Sequence, residues 1–410
     1  MNEPKIRFKG FEGEWKKTSL GSVSNNFKYG INAAAACYDG INKYLRITDI
    51  DDATRSFIQE NLTSPDTDLS LCDEYIMQDG DIVIARTGAS VGKSYIYHFV
   101  DGKVYFAGFL IRMRANDNIN KDFIFQNTLT KIYTKYVNFV SQRSGQPGIN
   151  VNELKSYNLH VPSLAEQQQI ASYFTHLDSL ISASTSRLTS LKQVKEASLQ
   201  AMFPQEGETV PKIRFKGFEE EWKKVKLGEI ANFSKGNGYS KNDLQEFGHP
   251  IILYGRLYTK YQTLISEVDT YANLKCGSVL SEGNEVIMPA SGETPEDIAR
   301  ASAVQAANII LGGDLNIMRF NLAKYSTSYI ALAITYTKTH YELSKVAQGK
   351  SVVHLQNIGI GKAEIMLPSF NEQRAIASYF TALDRRITLQ TQRLEKLKQI
   401  KAACLDKMFV

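Results

Sequence analysis

The run that comes closest to a catalytic motif is Thr87-Gly-Ala-Ser-Val-Gly-Lys-Ser94. Its lysine and hydroxyl stand where a phosphate-binding loop places the groups that meet a nucleotide and its magnesium. That loop also needs a glycine five residues before Gly92, and Thr87 stands there. A Cβ at that point obstructs the tight turn. The run is therefore read as a turn between two strands. Other chemistry is poorly supported. No Asn/Asp-Pro-Pro-aromatic motif of an adenine methyltransferase occurs. Glu153-Leu-Lys155 is a bare Glu-x-Lys without the upstream Pro-Asp of many nucleases. The six histidines have no metal-ligand spacing, and His98, His176 and His340 read as surface or helix-packing residues. Cys37, Cys72, Cys276 and Cys404 form no Cys-x-x-Cys pair, so zinc and a disulfide framework are both disfavoured.

The 410 residues suggest two or three domains. With 43% hydrophobic and 22% charged residues the chain reads as globular and soluble. No run approaches the ~18 apolar residues of a membrane span. The start, Met1-Asn2-Glu3-Pro4-Lys5, lacks a signal-peptide core, so a cytoplasmic location is expected. A net charge of +5 is compatible with nucleic acid but milder than that of a dedicated non-specific binder.

The organising feature is a repeat of about 206 residues, half the chain. PKIRFKGFEGEWKK (4–17) recurs as PKIRFKGFEEEWKK (211–224), differing only at Gly13 and Glu220. VPSLAEQQQIASYFTHLDSLI (161–181) recurs as LPSFNEQRAIASYFTALDRRI (367–387), and the match runs on to Met-Phe at 202–203 and 408–409. The segments between, roughly 18–160 and 225–366, hardly resemble each other. Both nonetheless open after Leu-Gly (20–21, 227–228) and share a strand-like middle, a helical stretch (Lys121–Gln142, Thr327–Ala347) and a closing glycine loop. Identical frames around unlike inserts point to one scaffold presenting two specificities. Trp15 and Trp222, inside the repeated block, read as packing anchors.

Two long helices are predicted. Ser163-Leu-Ala-Glu166 and Ser369-Phe-Asn-Glu372 both fit the capping box. After them, apolar residues step by four and three: Ile170, Phe174, Leu177, Ile181, Leu188, Leu191 and Met202 in the first, Ile376, Phe380, Leu383, Ile387, Leu394, Leu397 and Met408 in the second. Ser184, Lys195, Gln390 and Lys401 interrupt these seams. Each helix of ~39 residues would be ~58 Å long, longer than the ~30–35 Å of a 140-residue domain. The simplest burial of the two stripes is against each other, antiparallel.

These blocks resemble the specificity subunit of type I restriction–modification systems. In that family two variable target-recognition domains alternate with helical conserved regions. Here each region opens Pro-x-x-x-Glu-Gln (162–167, 368–373), continues Ile-Ala-Ser-Tyr-Phe-Thr-x-Leu-Asp and ends near Met-Phe. Gly80-Asp-Ile-Val-Ile-Ala-Arg-Thr-Gly88 is similar to the family's first-domain pattern, whereas Glu282–Gly292 departs from it. The resemblance implies an α+β fold with a pseudo-twofold internal repeat. Two mixed α/β recognition domains (1–160 and, with the linker, 205–366) would be joined by two long antiparallel coiled-coil helices (161–204, 367–410). It implies a non-catalytic DNA-binding subunit that reads a split, asymmetric double-stranded site. Modification subunits would methylate adenine with S-adenosylmethionine, and restriction subunits would use ATP and Mg to cleave foreign DNA. No cofactor is expected on this chain. A specificity subunit of a fused type II system and a coiled-coil adaptor without DNA readout stay open as alternatives.

Base edges are read by Arg, Lys, Asn, Gln, Ser and Thr, and phosphates are held by cations, hydroxyls and amides. Three clusters per domain suit this. In the first they are Lys28, Tyr29 and Gly30; Arg46 and Thr48 with Arg86 and Thr87; and Arg143, Ser144 and Gln146. Lys93 is expected near a phosphate. In the second they are Lys235, Asn237 and Tyr239; Tyr254 and Arg256; and Gln348, Lys350 and Ser351 with His354. The glycines are expected to let backbone approach DNA, and Arg86 and Arg256 to read guanine.

Overall fold

The computed structural model describes residues 2–142, 145–349 and 352–410. The chain forms two compact units, Met1–Arg187 with Thr391–Val410, and Leu188–Gln390. Each unit therefore takes up part of both long helices.

In the first unit β1 (Lys16–Ser19), β2 (Ser24–Tyr29) and β3 (Lys43–Leu45) lead to β4 (Ile82–Ala85) and β5 (Ser94–Ile96). Then come β6 (Val104–Phe106), β7 (Leu110–Ala115), helices α1 (Lys121–Asn127) and α2 (Lys131–Val140), β8 (Asn158–Val161) and the long helix α3 (Leu164–Ala201). The main sheet is ordered β2-β7-β4-β5 and is antiparallel throughout. The central strand β4 is buried along its whole length, as its unbroken apolar run requires. Ile82 and Ile84 face a core with Trp15, Phe123 and Phe174, while Val83 and Ala85 face one with Leu45, Tyr95 and Phe106.

The second unit repeats this plan. It has β9 (Lys223–Lys226), β10 (Ala231–Lys235), β11 (His249–Ile252), β12 (Glu285–Pro289), β13 (Ser302–Val304), β14 (Ala307–Leu311) and β15 (Leu315–Phe320). They are followed by α4 (Thr327–Tyr336), α5 (Lys338–Val346), β16 (Glu364–Leu367) and the long helix α6 (Phe370–Met408). Its sheet is ordered β10-β15-β12-β13, with the short strand Leu264–Ile265 added in parallel at the edge. In both units the helical stretch read from sequence is broken in two. Threonines do this by capping the second piece: Thr130 Oγ1 accepts from the Tyr133 amide and Thr337 Oγ1 from the Thr339 amide.

The repeated residues build the frame. A two-stranded ladder joins the start of each insert to its end, β1 with β8 and β9 with β16. The ladder leads straight into the long helix. At the helix start Ser163 Oγ accepts from the Glu166 amide at 3.4 Å, and Ser369 Oγ from the Glu372 amide at 3.4 Å. The other half of the expected capping box does not form. Glu166 instead takes a two-pronged bond from Arg7 (2.8 and 2.8 Å), and Glu372 one from Arg214 (2.6 and 2.7 Å). A guanidinium fork outcompetes a single backbone N–H for a buried carboxylate. The adjacent glutamines act alike. Gln167 accepts from the Asn120 amide and donates to the Pro162 carbonyl; Gln373 accepts from the Ser326 amide and donates to the Pro368 carbonyl. The Pro-x-x-x-Glu-Gln motif is thus a structural joint, tying the repeated strap and the helix pair to the helix start.

Within each unit the long helices pair antiparallel. In the first, Tyr173 meets Cys404 (3.4 Å) and Asp178 pairs with Lys401 (2.6 Å). In the second, Ser198 meets Tyr379 (2.9 Å) and Lys195 pairs with Asp384 (2.6 Å). The seam lysines therefore neutralise an aspartate on the facing helix. Each Met-Phe end plugs a core. Phe409 stacks on Phe123 and meets Trp15 edge-on at 6.4 Å, and Phe203 meets Trp222 edge-on at 6.1 Å. Both tryptophans are buried anchors, as read from the sequence.

Candidate nucleic-acid interface

Arg86 follows directly on β4, and the sheet fixes its backbone. Its amide donates to the Phe109 carbonyl at 3.0 Å, and its carbonyl accepts from the Ile149 amide at 2.8 Å. The guanidinium lies over the ring of Tyr29, 4.7 Å from the centroid. No carboxylate among the described residues pairs with it, so its donors stay available. Tyr29 ends β2, and Arg46 and Thr48 follow β3. These side chains, with Gly30 and Phe109, line one cleft of about 610 Å³. Five of the residues singled out from the sequence thus converge at one end of the sheet.

Arg46 is partly committed. Its Nε and Nη2 bond both oxygens of Asp49 at 2.9 and 2.8 Å, a bond that raises its pKa and leaves Nη1 over. Thr48 is exposed beside it. Thr87 pairs with Gly148 in an isolated bridge, which holds the exposed Gln146 close to Gly88. Arg143 and Ser144 lie outside the described residues.

Three expectations for this unit change. Lys28 points to the opposite face of β2 from Tyr29, as alternation along a strand demands, pairing with Glu74 and lying 4.5 Å from the Tyr75 ring centroid. Lys93 is buried, its Nζ donating to the Ile50 carbonyl and to Asp52, both at 2.9 Å. Closing the β4–β5 turn consumes the charge meant for a phosphate. Gly30 serves its own chain: a Cβ there would lie 2.2 Å from the Phe106 carbonyl oxygen.

In the second unit Lys235 ends β10, exposed and without an ion pair among the described residues. Asn237 donates to the Gly277 carbonyl at 3.1 Å but is itself exposed. Tyr239 is a clamp rather than a reader. Its hydroxyl donates to the Asn273 carbonyl and accepts from the Lys275 amide. Tyr254 is partly exposed, edge-on to Tyr258. Gln348 and His354 pair through their backbones, leaving both side chains outward. Lys350 and Ser351 lie outside the described residues.

Arg256 is the clearest correction. Its side chain is 7% exposed and bonds Asp269 at 2.5 Å and Gln262 at 3.0 Å. Hydrogen bonds from Lys260 and Arg256 hold the Asp269 carboxyl well below its ordinary range. A guanidinium so enclosed cannot reach a base edge. Nor is it the counterpart of Arg86. Ala85 lies opposite Leu110 and Pro289 opposite Leu315, and the Ala290 amide bonds the Asp314 carbonyl as the Arg86 amide bonds that of Phe109. The register therefore equates Arg86 with Ala290, Thr87 with Ser291 and Tyr29 with Lys235. Sequence reading missed Phe109 and Asp314. The parallel runs Phe106-Ala-Gly-Phe-Leu110 and Leu311-Gly-Gly-Asp-Leu315 were the available signal.

Among the described residues no helix is long and apolar enough to cross a membrane. Residues 12–193 and 219–399 match the family described as the type I restriction modification DNA specificity domain. The type I restriction enzyme MjaVIII specificity subunit of Methanocaldococcus jannaschii is 20% identical over 347 residues, covering 81% of this chain and 79% of the relative. The crystal structure of the type I restriction–modification S subunit from M. genitalium shares the fold, with a TM-score of 0.68 at 15% identity over 100% of this chain and 99% of that one. Two copies of one frame, each with a cleft or tip that carries different side chains, are what a reader of two different sequences requires. The chain belongs to the type I restriction–modification DNA specificity family and is a non-catalytic DNA sequence-recognition subunit.

Proposed function

We propose that this chain reads a bipartite, asymmetric DNA site, one half per unit, and carries partner subunits to it. Segments 1–160 and 205–366 do the reading, and the helical regions 161–204 and 367–410 dock the partners. Modification subunits there methylate adenine with S-adenosylmethionine. Restriction subunits use ATP and Mg to cleave unmodified foreign DNA in the cytoplasm. The observation that carries the reading is the shared register filled with unlike residues: Tyr29 against Lys235, Arg86 against Ala290, Thr87 against Ser291. A frame kept while the residues at its equivalent positions diverge, exposed in one unit at Tyr29 and in the other at Lys235, suits two readers of different half-sites. Contacts are assigned to Tyr29, Arg46, Thr48, Arg86, Thr87 and Gln146 in one unit. In the other they are assigned to Lys235, Asn237, Tyr254, Gln348 and His354.

Selection from a random duplex library by the full chain with its modification subunits tests this. A single motif with two fixed blocks and an unread spacer is expected. An adaptor that only binds proteins enriches nothing, and that outcome would discard the reading.

A further inference from the structure

We infer that Phe109 and Asp314 are specificity-determining residues, one at the turn tip of each unit, Phe109 reading a thymine methyl and Asp314 a cytosine amino group. The inference rests on the DNA-reading proposal and assigns atoms to it. Phe109 and Asp314 occupy the same place in the two registers, just before β7 and β15. Each tip is pinned twice. Around Phe109, its carbonyl accepts from Arg86 (3.0 Å) and the Gly108 amide donates to the Ile31 carbonyl (2.7 Å). Around Asp314, its carbonyl accepts from Ala290 (2.7 Å) and the Gly313 amide donates to the Gly238 carbonyl (2.7 Å).

Single exposed apolar residues are common on protein surfaces. Phe109 differs because a rigid backbone holds its ring 61% exposed on the wall of the Arg86 cleft. A ring fixed beside a guanidinium that can grip guanine suits apolar contact with a neighbouring thymine methyl in the major groove. Asp314 is held at φ +56°, a left-handed conformation that few residues other than glycine adopt. Its exposed carboxylate bonds no described group. Phosphates repel a carboxylate, so an acidic tip is accommodated where it faces a base edge, and cytosine N4 is the donor that acidic side chains read. The two units would thus differ in chemistry at one geometric point, as readers of different half-sites must.

The test uses the full chain, site selection and then measured affinities. With Phe109→Ala, preference for thymine at one position of one half-site is expected to fall about fourfold, the worth of one buried methyl. Wild-type protein should lose the same fourfold when deoxyuridine replaces that thymine, and the variant should be indifferent to the replacement. Asp314→Asn keeps a residue that tolerates the left-handed backbone. It should reduce a cytosine preference in the other half-site roughly tenfold. Both positions are exposed, so unchanged thermal unfolding serves as the folding control. Even weakening at every base, or preferences that do not move, overturns the assignment for that unit. A wild-type chain that selects no site defeats the DNA-reading proposal itself, which is a separate result.

Discussion

Replacing Glu372 by alanine is expected to destabilise the second unit by about 3–5 kcal/mol, the usual consequence of removing one partner from a buried ion pair. The Glu372 side chain is 1% exposed and that of Arg214 is 15% exposed. With the carboxylate gone, the guanidinium keeps only the Glu220 carbonyl as a hydrogen-bond partner among the described residues. The strap also loses its hold on the start of α6. Glu166→Ala should act the same way on the first unit through Arg7. Denaturant unfolding of each variant checks this. Replacing both partners together, Arg214→Met with Glu372→Leu, should recover much of the loss, because no uncompensated charge then remains. A single variant that unfolds like wild type would mean that the motif does not act as a joint.

The second large effect separates two arginines that the sequence placed on the same footing. Arg86→Ala is expected to reduce binding to the selected DNA by about 1–3 kcal/mol and relax one base pair. Among the described residues its guanidinium is held by a tyrosine face alone, so stability should barely change. Arg256→Ala should do the reverse, costing about 1–3 kcal/mol of stability through lost hydrogen bonds and packing. Base preference should stay intact, since the residue is enclosed by Asp269, Gln262 and the Glu267 carbonyl. Uniform weakening across sequences with a shallower salt slope for Arg86→Ala would mark a phosphate contact instead.

The frame was legible in the sequence because it is written twice. Near-identical blocks gave the straps, the helix starts, the Trp anchors and the seams, and the α+β fold with paired antiparallel helices follows the expectation. The second half of the capping box was misread because local spacing cannot show that Arg7, 159 residues away, takes the glutamate. The candidate cleft was half legible. Tyr29, Arg46, Thr48 and Arg86 sit at strand ends, where a short apolar run followed by a polar residue points to a loop edge. Lys93 and Arg256 follow the same local rule. Whether a cation faces solvent or is drawn inward against a carboxylate depends on Asp52 and Asp269, whose nearness is tertiary. Phe109 was invisible to a search for polar readers because its role comes from exposure, which composition does not carry.

The most direct measurement exchanges residues 18–160 for the matching segment of a relative with a different target. The methylated sites that the assembled complex selects are then mapped. One half of the motif should change, and the other half should remain as in the parent. Changes in both halves, or in neither, would contradict independent reading by two units on one repeated frame.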